Sequence, residues 1–355
     1  MREPLRFLAF GAGGVGTYVG GSLALHDHPV VFLERPEVAE SLQKRGLRLR
    51  LGGLEYSLPN PHTAASLDEA LSQGPFDVAL FALKSYDTAA ALASMAPFAA
   101  ELPPVLCLQN GVENEPAIEA ALGPGKAIYG TLTSAIGRRA AGDIVLERLR
   151  GIGVAAGHPL SARLVESLSE AGLNGRLYPD AGSMKWSKLL TNLLANATSA
   201  ILDMTPAEVF AHPGLYRLEL AQLRETLAVM EAQKMRPTDL PGTPVRLLAF
   251  AVRHLPPGLS RPLLRRAVGQ GRGGKMPSFH IDLHAGRGKS EVGYLNGAVY
   301  RSAARLGLQA PANAVLNDIL QALSRGELPL QAFARKPAKL LDLYFERAAV
   351  LPKSA

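Results

Sequence analysis

Apolar and polar positions alternate in two different ways along the chain. From Leu5 to about Asp180, short apolar or β-branched runs alternate with alanine-rich stretches of helical length, the pattern of βα units that build a parallel sheet. The predicted elements of this region are strands at Leu5–Phe10, Val30–Leu33, Val78–Leu83, Val105–Leu108, Ala127–Leu132 and Gly175–Tyr178, and a helix at Ser161–Ala171.

Beyond Asp180 the helical period prevails. The predicted helices are Met184–Leu202, Tyr216–Gln233, Ser290–Leu306, Asn313–Ser324 and Pro337–Ala348. The sequence therefore predicts the α/β class, with a Rossmann-type dinucleotide-binding domain over residues 1–180 followed by an all-α helical domain over residues 181–355.

Residues 236–277 differ from the rest of the second domain. The segment is rich in proline and arginine, and no acidic residue lies between Asp239 and Asp282. It predicts an insertion at about 236–277 that contains one or two short amphipathic helices. Two roles remain open: a basic lid that steers an anionic substrate, or a surface insertion that packs on the helical domain or on a partner subunit.

Composition limits the class of protein. With 355 residues, 47% hydrophobic and 19% charged, the chain is long and apolar enough for two globular domains, which excludes a disordered protein. A formal net charge of +7 favours anionic ligands, but aromatic residues make up only 6%, which argues against a nucleic-acid partner. Cys107 is the only cysteine, and neither a signal peptide nor a membrane span is evident, so we expect a cytoplasmic protein.

A glycine-rich loop follows the first predicted strand directly. The sequence GAGGVG places Gly11, Gly13 and Gly16 in the G-x-G-x-x-G spacing, and a helix is predicted from about Val15. The first glycine allows a tight turn, the second lets the backbone approach a pyrophosphate, and the third lets the helix pack on the strand. The strand, loop and helix context favours a dinucleotide site over a plain glycine turn.

The end of the second predicted strand bears on the choice of nucleotide. Glu34 could accept hydrogen bonds from an adenosine ribose, which favours NAD, whereas Arg35 could bind a 2′-phosphate, which favours NADP. A charged pair that caps the next helix, with Pro36 in its first turn, is the structural alternative for both residues.

A polar stripe runs along the first helix of the second domain. Projection at 100° per residue places six polar side chains within an arc of about 80°: Lys185, Lys188, Asn192, Asn196, Ser199 and Asp203. Asparagine in a helix interior costs up to ~0.7 kcal/mol relative to alanine, so paired asparagines favour a cleft over a solvated face. A lysine one turn earlier can donate a proton, which suits a ligand with a carbonyl and a carboxylate.

At the level of these motifs, the chain resembles the ketopantoate reductase family, the NADPH-dependent 2-dehydropantoate 2-reductases, from the glycine loop to about Ser324. The matching pieces are GAGGVG, ALKSYDT with Lys84, LQNGVEN with Asn110, KLLTNLLAN with Lys188, Asn192 and Asn196, the Ser278–Asp282 segment, and SEVGYLNG with Glu291.

The resemblance implies an NADPH-dependent reduction of a 2-oxo acid, 2-dehydropantoate to pantoate, with a role for each matching residue. It makes Lys188 the catalytic acid, and Glu291 the residue that holds a ligand hydroxyl or the lysine. The substrate-binding residues that it implies are Asn110, Asn192, Asn196 and Ser278. The cofactor-binding residues that it implies are Gly11, Gly13, Gly14, Gly16, Arg35, Lys84 and Asn110. The position of Arg35 favours NADP, and the expected partner is a small 2-oxo acid, with a homodimer as the candidate assembly.

Several alternatives stay open. The scaffold also resembles NAD-dependent D-2-hydroxyacid dehydrogenases, and a nucleotide-sensing protein without turnover is the rival outside the enzyme class. Lys84 could be a solvated loop lysine, Asn110 a turn residue and Glu291 a helix cap. His280 and His284 have the i, i+4 spacing of a metal pair, but no third ligand is evident, so no metal is expected.

Overall fold

The computed structural model describes residues 3–272 and 276–349, and the chain divides into two compact units. The first unit contains Met1–Lys185 and Leu240–Thr243, and the second contains Trp186–Asp239 and Pro244–Ala355. A helix that begins at Ala181 continues from the first unit into the second. The domain limits 1–180 and 181–355 therefore stay a prediction.

Strands belong to the first unit. Those of the described residues are β1 Phe7–Phe10, β2 Val30–Leu33, β3 Leu47–Leu51, β4 Leu54–Leu58, β5 His62–Ala64, β6 Val78–Phe81, β7 Val105–Cys107, β8 Ala127–Leu132, β9 Ala135–Ala140, β10 Asp143–Arg148, β11 Ile152–Ala155 and β12 Gly175–Tyr178. The six predicted strands are all present, with small differences at their ends.

Within the described part of the chain, eight strands form the main sheet in the order β12-β11-β8-β7-β6-β1-β2-β5. The pairs from β8 to β5 are parallel, whereas β11 runs antiparallel to β8. Alternate residues of β1 are buried on opposite faces: Phe7 and Ala9 belong to one apolar cluster, and Leu8 and Phe10 to another. Burial of both faces explains why these strands appear as continuous apolar runs.

A smaller sheet, in the order β4-β3-β10-β9 among the described residues, is absent from the sequence-based prediction. Its first two strands form a hairpin whose turn contains Gly52 and Gly53, both with positive φ. In β3 the leucines Leu47 and Leu49 are buried, and arginines alternate with them. This strict alternation is a strand signal in its own right, which the search for apolar runs passes over.

Among residues 3–272 and 276–349, helices surround the main sheet of the first unit and make up the regular structure of the second. In chain order, the α-helices are α1 Gly14–Ala24, α2 Pro36–Arg45, α3 Leu67–Ser72, α4 Thr88–Met95, α5 Asn114–Leu122, α6 Ser161–Glu170, α7 Ala181–Leu193, α8 Asn196–Leu202, α9 Pro206–Ala211, α10 Pro213–Ala232, α11 Val245–His254, α12 Pro257–Arg272, α13 Ser278–His284, α14 Asn296–Arg305, α15 Pro311–Ser324 and α16 Pro337–Ala349. The predicted fold class, a Rossmann-type α/β domain followed by a helical domain, is confirmed.

The single helix predicted over Met184–Leu202 is wrong in one respect, because the helix breaks between α7 and α8. Ala195 adopts a left-handed conformation at the break, with φ 49°. Its backbone N–H donates to the buried Glu219 carboxylate at 2.7 Å, and the Thr198 hydroxyl donates to the other oxygen at 2.5 Å. The polar stripe is therefore not one continuous helical face.

The basic segment, residues 236–277, contains two helices, α11 and α12, where one or two short helices are predicted. Residues 273–275 lie outside the described part. Several arginines of the segment bond within the second unit: Arg246 to Asp239 at 2.7 Å, Arg253 to Glu231 at 2.9 Å, and Arg261 to the Phe210 carbonyl at 2.9 Å. These contacts favour the packing role over the steering role.

No helix within residues 3–272 and 276–349 is both long enough and apolar enough to cross a bilayer.

Candidate functional site

The glycine loop joins β1 to α1, and the start of α1 packs closely against the loop backbone. A Cβ atom on Gly16 would lie 2.0 Å from the Gly11 carbonyl oxygen, so only glycine permits this approach of helix and loop. Gly11 has φ +93°, a conformation that favours glycine. At Gly13 a Cβ would meet no protein atom within 4 Å, and Gly13 is the N-cap of α1. The loop thus leaves open space at a helix N-terminus, which fits a pyrophosphate.

The acid and base that follow β2 occupy different surroundings. Glu34 is half-buried, and its carboxylate accepts hydrogen bonds from the backbone N–H of Ala12 at 2.6 Å and of Arg35 at 3.3 Å. The Arg35 side chain is exposed at the N-cap of α2. Glu34 therefore supports the glycine loop, and Arg35 faces solvent.

Lys84 and Asn110 lie beyond the carboxyl ends of β6 and β7, which are neighbouring strands. Ser85 donates from its hydroxyl to the Asn110 carbonyl at 2.8 Å and so joins the two loops. The sheet order places β6 on one side of β1 and β2 on the other, so the chain changes direction beside the glycine loop. Open α/β sheets bind their ligands at such a switch point.

A buried amide network supports these two loops. Gln109 donates to the Leu83 carbonyl at 3.0 Å and to the Thr88 hydroxyl at 2.9 Å. Asn114 donates to the Asn110 carbonyl at 2.7 Å and accepts from Thr88 at 3.1 Å. Sequence analysis missed Gln109 and Asn114, although an amide at the end of the apolar run VLCLQN is a signal in itself, because buried polar groups need partners.

Lys188 and Asn192 lie one turn apart on α7, with both side chains half-buried. Residues at i and i+4 share one face of a helix, so the ammonium and the amide are neighbours on the second unit. Ser199 is fully buried and Asp203 is exposed. These two members of the predicted stripe therefore do not share its surroundings.

Asn196 and Ser278 are brought together by the first residues of α8 and α13. The Asn196 amide nitrogen lies 3.5 Å from the Ser278 hydroxyl, and its carbonyl oxygen accepts from the Phe279 N–H at 3.1 Å. Asn196 is only 4% exposed, whereas Ser278 is exposed. Glu291 begins a 3₁₀ helix, Glu291–Tyr294, and its side chain is buried in the second unit.

Lys185 departs from its prediction as a member of a polar stripe. Its ammonium is buried in the first unit, where it lies 2.6 Å from the Glu115 carboxylate. It also donates to the carbonyls of Gln109 at 2.9 Å and Gly130 at 3.1 Å. Burial is the largest single effect and acts to lower the pKa of Lys185, but the charge and hydrogen bond of Glu115, together with Cys107, outweigh it, so the pKa lies above the ordinary lysine value. The partner could not be read from the sequence, because Glu115 belongs to a distant helix, α5.

Cys107 shares this buried surrounding in the first unit. Burial raises the pKa of its thiol, and the charge of Glu115 adds to the effect. A buried thiol with a raised pKa is a poor nucleophile, so the role of Cys107 is packing.

Two family models match this chain, one in its N-terminal part and one in its C-terminal part. The family described as Ketopantoate reductase PanE/ApbA matches over residues 7–156, and its C-terminal counterpart matches over residues 180–324. The chain belongs to the ketopantoate reductase family. It is therefore an oxidoreductase that acts on a CH–OH group, and its reaction class is the nicotinamide-nucleotide-dependent reduction of a 2-oxo acid.

Relatives cover most of the chain at modest identity. A 2-dehydropantoate 2-reductase of Pyrococcus horikoshii is 26% identical over 90% of this chain and 97% of its own length. The corresponding protein of Archaeoglobus fulgidus is 24% identical over 90% of this chain and 98% of its own.

Solved structures share the fold. The ketopantoate reductase family protein of Ralstonia eutropha JMP134 has a TM-score of 0.76 at 24% identity, over 91% of this chain and 99% of that one. A D-mandelate dehydrogenase in complex with NADH and anilino(oxo)acetate has a TM-score of 0.72 at 20% identity, over 92% and 100%.

We predict that two glycine substitutions separate ligand contact from folding. Gly13→Ala should keep the wild-type melting temperature, because its Cβ meets open space and its φ of −69° suits alanine, but should weaken nucleotide binding by at least ~10-fold. Gly16→Ala should lower the melting temperature, because its Cβ would overlap the Gly11 carbonyl. Calorimetric nucleotide titration and thermal melts measure both. Wild-type binding by folded Gly13→Ala would show that no pyrophosphate contacts Gly13.

We predict that Glu115→Gln destabilises the protein by about 3–5 kcal/mol, because it leaves the buried Lys185 charge unpaired. The folded pKa of Lys185 is raised, so the contribution is complete below the ordinary lysine pKa of about 10.4 and is lost as pH rises through the folded value. Urea unfolding should therefore show the same loss in the free energy of unfolding of Glu115→Gln, relative to the wild type, at every pH from 7 to 9. Glu119→Gln on the same helix is the control, and equal losses in both variants would refute the role of the pair.

Proposed function

We propose that the chain is an NADPH-dependent reductase that converts 2-dehydropantoate to pantoate, with Lys188 as the general acid. One observation carries the proposal: the second unit presents a lysine ammonium and an amide on adjacent turns of α7, and an amide–hydroxyl contact between Asn196 and Ser278. These groups are the donors that a ligand with a carbonyl, a carboxylate and a hydroxyl requires.

In this proposal Lys188 supplies the proton of the reaction. A bound reduced nicotinamide supplies the hydride to the carbonyl carbon. As negative charge develops on the carbonyl oxygen, the Lys188 ammonium stabilises that charge and gives up a proton from Nζ. The product is a hydroxyl group and a neutral amine, which regains its proton from solvent before the next turnover.

The remaining residues bind and orient the substrate in this proposal. The side-chain amides of Asn192 and Asn196 and the Ser278 hydroxyl donate to the substrate carboxylate and contact its hydroxyl. Glu291 is buried, and an acid there can accept a hydrogen bond from a substrate hydroxyl or from Lys188. Lys84 and Asn110, joined through Ser85, border the nucleotide at the carboxyl edge of the sheet.

The choice of NADPH rests on the two residues after β2. Glu34 is committed to backbone N–H groups of the glycine loop and of Arg35, so its carboxylate is engaged away from a ribose hydroxyl. Arg35 is exposed beside it, and a guanidinium matches a phosphate with two parallel hydrogen bonds.

An NADH-dependent D-2-hydroxyacid dehydrogenase is the second candidate. It is favoured by the likeness to the D-mandelate dehydrogenase bound to NADH, which covers 92% of this chain. A panel of 2-oxo acids, with 2-dehydropantoate and an aromatic 2-oxo acid included, assayed with NADPH and with NADH, separates the two. Nucleotide binding without turnover of any acid would instead favour a sensing protein.

A homodimer remains part of the proposal, since Leu247 and Phe250 on α11 are more than half exposed.

We predict that Lys188→Ala lowers kcat with 2-dehydropantoate by ~10²–10⁴-fold, the usual contribution of a positioned acid, while the affinity for NADPH is kept. Lys188→Arg should stay almost as slow, because a guanidinium retains the charge but does not release a proton near neutral pH. Steady-state rates and NADPH fluorescence titrations measure the two effects. Near-wild-type kcat in Lys188→Ala would contradict the mechanism.

We predict that Arg35→Ala raises the KM for NADPH by about 10–100-fold, because a hydrogen bond to a charged group contributes ~1.5–3 kcal/mol. The KM for NADH should change little, since NADH lacks the 2′-phosphate. Lys44→Ala, which removes another exposed cation from α2, is the matched control. A wild-type enzyme that uses NADH better than NADPH would disprove the assignment of Arg35.

A further inference from the structure

Three potential metal ligands meet on the second unit. Asp203 follows α8, and His280 and His284 lie one turn apart on α13. Their ligand atoms all lie within 4.8 Å of one another. The imidazole rings stack with centroids 4.1 Å apart, and His280 Nε2 lies 2.8 Å from the Asp203 carboxylate. The third ligand that the sequence did not reveal is thus supplied by the fold, from a residue 77 positions away from His280.

We propose that Asp203, His280 and His284 form a binding site for a divalent transition-metal ion of the Zn²⁺ type. Two imidazoles and one carboxylate are a ligand set that Zn²⁺ accepts, with water in the fourth position. Histidines at i and i+4 of a helix place both rings on one face, which suits chelation of a single ion. The Asp203 side chain is 51% exposed, so water can complete the coordination.

To hold an ion, ligand atoms that lie up to 4.8 Å apart have to move closer and the nearest pair has to move apart. In a tetrahedral site with ligand distances of about 2.0–2.1 Å, neighbouring ligand atoms lie about 3.3 Å apart. The His280–Asp203 contact at 2.8 Å therefore has to open by roughly half an ångström. Asp203 is exposed at the end of α8, where its side chain can make this shift.

The nearby positive charge is already balanced. Arg335 lies close enough to act on Asp203, but its guanidinium pairs with the Glu208 carboxylate. The backbone N–H of Arg335 donates to the Leu202 carbonyl at 2.8 Å, which fixes its position beside α8. The repulsion that Arg335 would exert on an ion is therefore reduced by Glu208.

A bound ion would join α8 to α13 at a second point. Asn196 and Ser278, the first residues of the two helices, already form one contact. The Asp203–His280–His284 site is separate from that contact. The ion would therefore stabilise the second unit, and this consequence is independent of the proposed substrate.

The test is isothermal titration of the full chain, with its purification tag removed, with ZnCl₂ and with NiCl₂. We expect one ion per chain, and at least a ~10-fold weaker affinity in His284→Ala and in Asp203→Asn. His254→Ala, which removes an exposed histidine from α11, is the control and should bind as the wild type does. Zn²⁺ should raise the melting temperature of the wild type and of His254→Ala, but not that of His284→Ala.

Two results would overturn the site. One is the absence of Zn²⁺ and Ni²⁺ binding to the wild type at millimolar metal. The other is unchanged affinity in the folded double variant His280→Ala/His284→Ala, which would place the ion elsewhere.

Discussion

The contacts of the buried Lys185 ammonium hold several elements of the first unit in place. A lysine ammonium has three donors, and here each has a partner: Glu115 from α5, and the carbonyls of Gln109 and Gly130. Three separate parts of the first unit therefore meet at one charge, and the first residues of α7 are held to them. Because α7 continues from Lys185 to Lys188 and Asn192, the same helix carries a structural cation and the proposed catalytic one.

A buried cation destabilises the fold unless its hydrogen-bond donors are paired, so the groups that pair with Lys185 have to keep their positions. Gln109 has to present its carbonyl to Lys185 while its side chain bonds to Leu83 and Thr88. These demands fix the backbone just before Asn110, a proposed ligand-binding residue. The position of the loop after β7 is thus supported by groups outside the proposed ligand-binding set, which is how rigid sites are generally supported.

The sequence was sufficient for features that are local and insufficient for features that depend on distant partners. The strands of the main sheet, the glycine loop and most helices follow from apolar runs and glycine spacing, which neighbouring residues determine. The break at Ala195 depends on Glu219, 24 residues away, and the burial of Lys185 depends on Glu115, 70 residues earlier by numbering. The hairpin of β3 and β4 is a different case, because its signal is local: leucine and arginine alternate along β3, and a prediction from continuous apolar runs does not include such a strand.

Glu34 illustrates why a residue type at a motif position does not by itself decide the chemistry. An acid about twenty residues after the glycine loop is the usual sign of a ribose contact. Here its carboxylate bonds to the backbone N–H of Ala12 inside the glycine loop. Rotating it toward a ribose would leave that N–H without its partner, which costs ~1–3 kcal/mol where the group is buried. The acid is thus more stable as part of the loop, and the neighbouring Arg35 side chain is exposed, which is why the proposal assigns the nucleotide contact to Arg35.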